Sequence, residues 1–532
     1  MVCKPYPLER KAIFDNQLEI NFKNMKKKVL LIFALLLLIL EIGFAQNPKS
    51  TITNQKSSKP RTIVTTDGEL DDVDSFIRML LYTNEYKVEG LIVSSSQWHY
   101  KGDGKGTKFT SEMEMTKKLY GERTELRWPG EQWIYDLVDA YGKVYPNLIK
   151  HSKDFPTHKY LRDRIRIGNI DFEGEMAKDT EGSDFIKAKL LDDDMTPLYL
   201  QVWGGTNTIA RALKSIEDAY KNTPQWDKIY KKVCRKTILY AILDQDATYR
   251  KYIEPNWKDI KVYYNSNQFW SFAYFWKRSV PKELHPYLEG KFMGELINNR
   301  GPLLKKYYSY GDGNPPLGEI DDIYSNMEKA KKNQWGSFGQ YDFISEGDSP
   351  AFLHLVDIGL NNLQNPQDGG WGGRLVQSAV TPSRWEDGDA ASDYNPFTKQ
   401  MDKAFAQTRW IPAIQNDFAA RADWCVKDFK SANHAPMVSV INKQLSVNRG
   451  QKAVISTKTS DPDGNKVSLK FWQYKEVGTC KGEVVINSNN NTAEVTIPAS
   501  AKSGDTIHII VEVEDNSSPA LTRYQRVVLT VK

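Results

Sequence analysis

From Arg61 onward the chain alternates short apolar runs with polar turns and amphipathic stretches. Thr62 to Thr66 is β-branched and closed by a breaker, which predicts a short buried strand. Val73, Phe76, Ile77, Leu80 and Leu81 then recur at helical spacing. The same order of strand, polar turn and helix returns in four later runs. "VEGLIVSSSQWHY" closes in Ser94 to His99, "PLYLQVWGGTNTIARAL" turns through Gly204-Gly205, "TILYAILDQDATYRKYI" reaches Asp244-Gln245-Asp246, and "IKVYYNSNQFW" stops at Asn265 to Gln268. Repetition of that order predicts an α/β fold, a mostly parallel sheet flanked by helices, with its polar turns gathered along one edge. After about residue 430 the apolar positions fall at period two between Gly, Asp, Asn and Pro turns, as in "QKAVISTKTSDPDGNKVSLKFWQY" and "TAEVTIPASAKSGDTIHIIVEVEDN". Roughly 100 residues of this kind fit a small all-β sandwich.

Ahead of this region, Lys26, Lys27 and Lys28 precede the apolar run Val29 to Leu40, and Gly43-Phe44-Ala45 offers a small-residue cleavage site. Residues 25–45 therefore read as a signal peptide, with an uncleaved anchor as the alternative, and residues 1–24 as an over-extended start before Met25. The expected product is exported, periplasmic or extracellular, with no stable membrane span once the signal is removed. Polar, proline-containing residues 46–60 read as a linker, 61–430 as the α/β domain and 434–532 as the sandwich.

Composition narrows the chemistry. The net charge of +5 falls to +2 without the first 45 residues, which carry seven Lys/Arg and four Asp/Glu (65 against 63 remaining). No basic patch for nucleic acid follows from that balance. Cys234, Cys425 and Cys480 remain beyond the signal, widely spaced and odd in number; they read as buried small hydrophobes, with at most one bridge. No strand is followed by G-x-G-x-x-G or G-x-x-x-x-G-K-[ST], which argues against a dinucleotide enzyme. A D-x-D phosphatase is also disfavoured, because Thr65 stands where the nucleophilic carboxylate belongs.

The turn "TTDGELDD" concentrates Asp67, Glu69, Asp71 and Asp72 between the first strand and its helix. Asp71 or Asp72 alone could cap the helix. The group is harder to explain that way, since crowded carboxylates repel unless a cation or a proton neutralises them. Oxygen-rich clusters suit hard cations such as Ca²⁺ or Mg²⁺. "DPDGN" at 461–465 reads as a tight turn in preference to a second cation loop.

"VTTDGELDD" resembles the D-x-D-P-G-x-D-D signature of the nucleoside hydrolases, "VWGGTNTIARAL" their T-G-P-L-T-N-I-A segment, and "EGDSPAFLHLV" their last metal-ligand segment. The whole region from about 61 to 532 is similar to a cellulose-binding family built from a nucleoside-hydrolase-like domain and a C-terminal immunoglobulin-like β-sandwich. "SSSQWHYKGDG", "ILDQDATYRKYI", "GGWGGR", "QNDFAARADW" and "GDTIHIIVEVEDN" carry that likeness. The resemblance implies a Ca²⁺ site made of Asp67, Asp71, Asp72, Asp348 and the main-chain oxygen of Trp203, with Asp67 as catalytic base. It departs from the hydrolases at Thr65, at Gly68-Glu69, and at Gly347, where they carry the histidine that protonates the leaving base.

Gln97, Gln245 and Asp246 are then candidates to hold sugar hydroxyls. Trp98 and Trp371 are candidates to stack on a ring, and Arg374 to pair with a site carboxylate. His99 is the one imidazole near a strand end that could replace the missing acid, although a surface histidine is the plainer reading. The implied partner is a carbohydrate or nucleoside-like small molecule, including cellulose. Two functions stay open: a metal-dependent hydrolase of glycosidic or N-glycosidic bonds, or a carbohydrate-binding protein that keeps the hydrolase fold without turnover.

Overall fold

The computed structural model describes residues 59–532 except residue 321. The expected over-extended start, signal peptide and residues 46–58 of the linker lie outside the described residues. None of the described helices is long and apolar enough to cross a membrane.

Strands β1 (Arg61–Thr66), β2 (Lys87–Val93), β3 (Ile165–Ile167), β4 (Leu198–Val202), β5 (Thr237–Ile242), β6 (Lys261–Asn265), β7 (Val376–Gln377) and β8 (Arg384–Glu386) form one eight-stranded sheet. Its order is β3-β2-β1-β4-β5-β6-β8-β7. Every neighbouring pair is parallel except β7 with β8. β1, β4 and β5 are buried along their whole length, which is why their sequences are apolar and β-branched instead of alternating. The pleat sends Ile63 and Val64 into opposite cores. From β1 the chain winds outward to β2 and β3, then returns to the other side at β4. That reversal opens a crevice at the carboxyl ends of β1 and β4, where open α/β sheets bind ligands.

Helix α1 (Leu70–Leu80) follows β1 and buries Val73, Phe76, Ile77 and Leu80 in the first core. Arg78 lies on the same buried face, fully enclosed. Its guanidinium donates to both carboxylate oxygens of Glu346 and, at 2.7 Å, to Gln415 Oε1, while the Phe418 ring lies 3.9 Å away. Ser349 Oγ (2.6 Å) and Tyr307 Oη also donate to Glu346. A buried ion pair offsets its desolvation when the remaining lone pairs and protons find partners; here Arg78 Nη1 stays without a hydrogen bond, while every Glu346 oxygen accepts at least one. The pair fixes α1 to the loop that precedes helix α2 (Ser349–Leu353).

A two-stranded hairpin, β9 (Asp393–Asn395) with β10 (Gln400–Asp402), leads toward the C-terminal part. There β11 (Met437–Val440), β12 (Gln444–Val447), β13 (Lys452–Ser460), β14 (Val467–Gln473), β15 (Val485–Asn489), β16 (Thr492–Thr496), β17 (Thr506–Asp515) and β18 (Thr522–Val531) make two four-stranded sheets. Their orders are β11-β13-β16-β15 and β12-β18-β17-β14, antiparallel except β12 with β18. Alternation decides their faces: Ile455, Phe471, Val495, Val511 and Leu529 meet in the sandwich core. Lys470, Glu512 and Tyr524, paired across β14, β17 and β18, point to the other side. The two parts are joined by main-chain bonds, Tyr524 N to Ile358 O and Arg526 N to Gly359 O, both 3.0 Å. Cys234, Cys425 and Cys480 are buried and free, so no bridge forms among them. Residues 461–465 form the expected turn, with Asp461 Oδ1 accepting from the amides of Asp463 and Asn465 at 2.9 Å.

Two outcomes follow for stability. Arg78→Met should lower the unfolding free energy by about 3–5 kcal/mol, because Glu346 is left as a buried, unpaired charge; adding Glu346→Gln should recover part of the loss in denaturant titrations. His354, 1% exposed beside Tyr240 and Tyr263, has its imidazole pushed by burial from 6.5 down to about 3. The unfolded chain then takes the proton first, so full stability above pH 6.5 is lost as pH falls from there toward about 3. The slope from this residue is about 1.4 kcal/mol per pH unit, and His354→Leu should remove it in chemical unfolding curves collected across that window.

Candidate functional site

The switch-point crevice is built by three segments. The end of β1 carries Thr66, Asp67 and Gly68, and Glu69 then opens α1. Gly68 has φ +77°, and a Cβ there would fall 2.6 Å from Trp133 Nε1 and 2.8 Å from Pro129 Cγ, so only glycine makes this turn without moving its wall. Gly204, after β4, is equally constrained: a Cβ there would lie 2.9 Å from Asp67 Cβ. The third segment is the loop ending in Gly347 and Asp348, held by the Arg78–Glu346 pair.

Neither Asp71 nor Asp72 is the N-cap, which is Glu69 and makes no side-chain cap bond. The capping reading of the acidic turn is therefore corrected. Asp72 instead reaches back, Oδ1 accepting from Thr66 Oγ1 and, at 3.2 Å, from the Asp67 amide. One carboxylate oxygen from each of Asp71, Asp72 and Asp348 lies within 4.8 Å of the others. Asp67 stands just outside that trio, with Oδ2 buried and lacking any hydrogen-bond partner. Burial, and then the neighbouring carboxylates, push the Asp71, Asp72 and Asp348 carboxyls well above their ordinary range. Burial alone would raise Asp67 too, but His99 beside it reverses the sign and holds it low. Three converging carboxylates, two of them buried, beside the unpartnered Asp67 Oδ2 make a donor set that a hard divalent cation fits.

The expected substrate residues divide. His99 is not on the surface; it is fully buried, Nδ1 lies 3.7 Å from Asp67 Oδ2 and 3.8 Å from Glu69 Oε2, and neither ring nitrogen has a hydrogen-bond partner. Gln245 joins the site by donating from Nε2 to the Trp203 main-chain oxygen at 2.6 Å. Gln97 is buried beside it, its amide bonded to Gln245 O and its Oε1 accepting from Thr116. Trp98 is half-buried, edge-on to Tyr120. Asp246 is corrected: its oxygens accept from the amides of Asn207 and Thr248 and the hydroxyls of Thr206 and Thr248, which ties down a helix start and leaves no oxygen turned to a sugar. Trp371 is also corrected, since its ring is 0% exposed within the first core and offers no stacking face. Arg374 pairs with Asp393 at 2.9 Å, not with a carboxylate of the crevice.

Gly347 lies against the acidic cluster. A Cβ at this position would fall 2.7 Å from Asp71 Oδ2, so a side chain here would have to displace the Asp71 carboxylate. The cover over the cluster was not legible beforehand. Tyr274 Oη donates to Glu69 Oε1 at 3.0 Å, Arg127 lies 3.9 Å from the same oxygen, and Arg127 pairs with Glu319. Asp67, Asp72 and Asp348 are thereby left 1–2% exposed. Arg127, Tyr274 and Glu319 belong to loops with no motif, and only folding brings them together. Arg78 and Glu346 did leave a trace, as charges placed among core positions.

Comparison with known proteins identifies the family. Residues 61–375 match the family described as cellulose-binding Sde182, nucleoside hydrolase-like domain, and residues 453–531 match the C-terminal domain of cellulose-binding protein Sde0182. No curated protein matches the chain. Among solved structures, a nucleoside hydrolase-related hypothetical protein from Saccharophagus degradans, described as associated with carbohydrate metabolism, superposes with TM-score 0.66 at 25% identity, over 89% of this chain and 100% of that one. The type III effector XopQ, complexed with adenosine diphosphate ribose, aligns at 10% identity with TM-score 0.36, over 70% of this chain and 95% of its own. With more than half of its length in the first match and the second match following in order, the chain belongs to the cellulose-binding family that joins a nucleoside-hydrolase-like domain to a small β-sandwich.

Proposed function

We propose that the protein is an exported, Ca²⁺-dependent hydrolase of a glycosidic or N-glycosidic bond in a sugar-containing substrate. The observation that supports it is the converging carboxylates of half-buried Asp71 and buried Asp72 and Asp348, beside the unpartnered Asp67 Oδ2 at the switch point. The three carboxylates, Asp67 and the Trp203 carbonyl would hold the cation, which when bound supplies charge stabilisation to water and to sugar hydroxyls. Asp67, kept ionised by His99, takes the proton from the attacking water. Gln97 and Gln245 border the crevice on the side of β2 and β5 and orient the sugar. No donor stands at residue 347, so a leaving group that departs without a proton is favoured.

A second reading, a cellulose- or carbohydrate-binding protein without turnover, draws support from the closure of Arg127, Glu319 and Tyr274 over the cluster and from the family's description. Turnover separates the two.

Calorimetry on chelator-treated protein should give uptake of one Ca²⁺, abolished by Asp71→Ala combined with Asp72→Ala; unchanged uptake would remove the cation from the proposal. At saturating Ca²⁺, a nitrophenyl riboside should be cleaved faster than inosine, because a positioned acid is worth roughly 10²- to 10⁴-fold for a purine leaving group. Asp67→Asn should abolish that cleavage. Absence of any product from nucleosides, nitrophenyl glycosides and oligosaccharides would leave the binding reading in its place.

A further inference from the structure

A wide concavity among the described residues lies apart from the acidic crevice. It is a groove of about 1230 Å³ between the β9–β10 hairpin, the segment 405–416 and the outward face of β14, β17 and β18. It shares no residue with the carboxylate cluster. We propose that this groove is a second ligand site, which takes a neutral, hydroxyl-rich glycan chain.

Charge balance selects the class of ligand. The lining holds five Lys or Arg and five Asp or Glu side chains, so it has no net charge to attract a phosphate, a nucleic acid or an acidic polysaccharide. Several of the charges already have protein partners: Lys475 pairs with Glu483 at 3.0 Å, and Glu512 accepts from Trp472 Nε1 at 3.0 Å. What such a surface offers is a dense alternation of donors and acceptors, suited to many hydroxyl groups of no charge.

Aromatic placement selects a ring-bearing ligand. Tyr394 and Met401 face each other across the hairpin, so they share one of its faces, and they remain 48% and 59% exposed. Opposite them lies Trp472, half-buried, with Trp410 behind it at 6.2 Å. Large apolar groups are left in water on a rigid mount where something else covers them. Here the mount is rigid: the buried Asp393 at the base of the hairpin takes bonds from Arg374 and Arg409 of the α/β part and from Tyr474 of the sandwich. The C–H faces of pyranose rings stack on aromatic rings while their equatorial hydroxyls reach the flanking amides and carboxylates.

Size selects a chain over a monomer. The volume exceeds the roughly 300–1,000 Å³ typical of small-molecule sites, so the groove has room for several sugar units in a row. The inference rests on the reading that the protein's substrate is a carbohydrate. It adds a site that would hold the glycan outside the covered centre.

The test uses the full mature chain with cellohexaose as the neutral probe and an oligogalacturonate of similar length as the acidic one. Affinity is read by calorimetry and by tryptophan fluorescence, which Trp472 reports. Wild type should bind cellohexaose and not the acidic oligomer. Tyr394→Ala combined with Met401→Ala, both exposed and so compatible with an unchanged melting temperature, should weaken binding at least roughly tenfold, and Trp472→Ala should do the same. Asp72→Asn in the acidic crevice should keep the wild-type affinity. Binding that survives the hairpin and Trp472 variants but disappears in Asp72→Asn would overturn the proposal by placing the glycan in the crevice. No binding of cellohexaose, or preference for the acidic oligomer, would overturn it as well. Neither result bears on hydrolysis of the nitrophenyl riboside, so the groove can fail while the hydrolase reading stands, and the reverse.

Discussion

Like charges do not gather in a protein interior unless something else holds them, and here that restraint is the ion pair of Arg78 with Glu346. Asp71 and Asp72 ride on the first turn of α1, Asp348 follows Glu346 by two residues, and the pair fastens those two segments from behind. The carboxylates are thus driven together by a favourable interaction about two helical turns or two residues away from them. Burial, and after it their mutual repulsion, lifts three of their carboxyls well above the ordinary range, and that is the cost of the arrangement. Removal of the pair would release the strain by letting the loop and helix part.

Around this clasp the sheet supplies the location. The reversal of strand order at β1 and β4 leaves the two strand ends without a crossing helix above them, and glycine at positions 68 and 204 lets the backbone close to contact distance on Asp67 and Trp133. The departures from the nucleoside hydrolases fit one pattern. Asp71 lies where a side chain at 347 would go, and the loops bearing Arg127 and Glu319 close over Glu69. The centre is more enclosed, and poorer in proton donors at residue 347, than the resemblance alone implied.

A second buried acid, Asp393, organises the junction between the two parts of the chain as Glu346 organises the crevice. Arg374 and Arg409 from the α/β part and Tyr474 from the sandwich all meet on it. The hairpin that carries Tyr394 is therefore fixed relative to the sandwich strands, and the groove between them has a set shape.

The strand and helix grammar, the switch to period two and the acidic turn were all legible in the sequence, because burial on both faces of a parallel strand, the 3.6-residue period and the chemistry of a strand-to-helix turn each leave local marks. Gly204 and Gln245 could be placed at the polar edge of the sheet for the same reason, since each follows a strand, whereas Asp348 was indicated only by the resemblance of its segment to the nucleoside hydrolases. Other assignments failed where a residue's role depends on what folds over it. His99 follows a strand end like any surface polar residue, yet tertiary packing buries it between Asp67 and Glu69. Trp371, among four glycines, reads as exposed, and the same glycines let it sink into the core. Arg374 and Asp246 carry the right chemistry for a site but are consumed by Asp393 and by a helix start. The sequence determined which segments would form the crevice; the fold alone decided which charges meet there, because ion pairs across hundreds of residues leave no period to read.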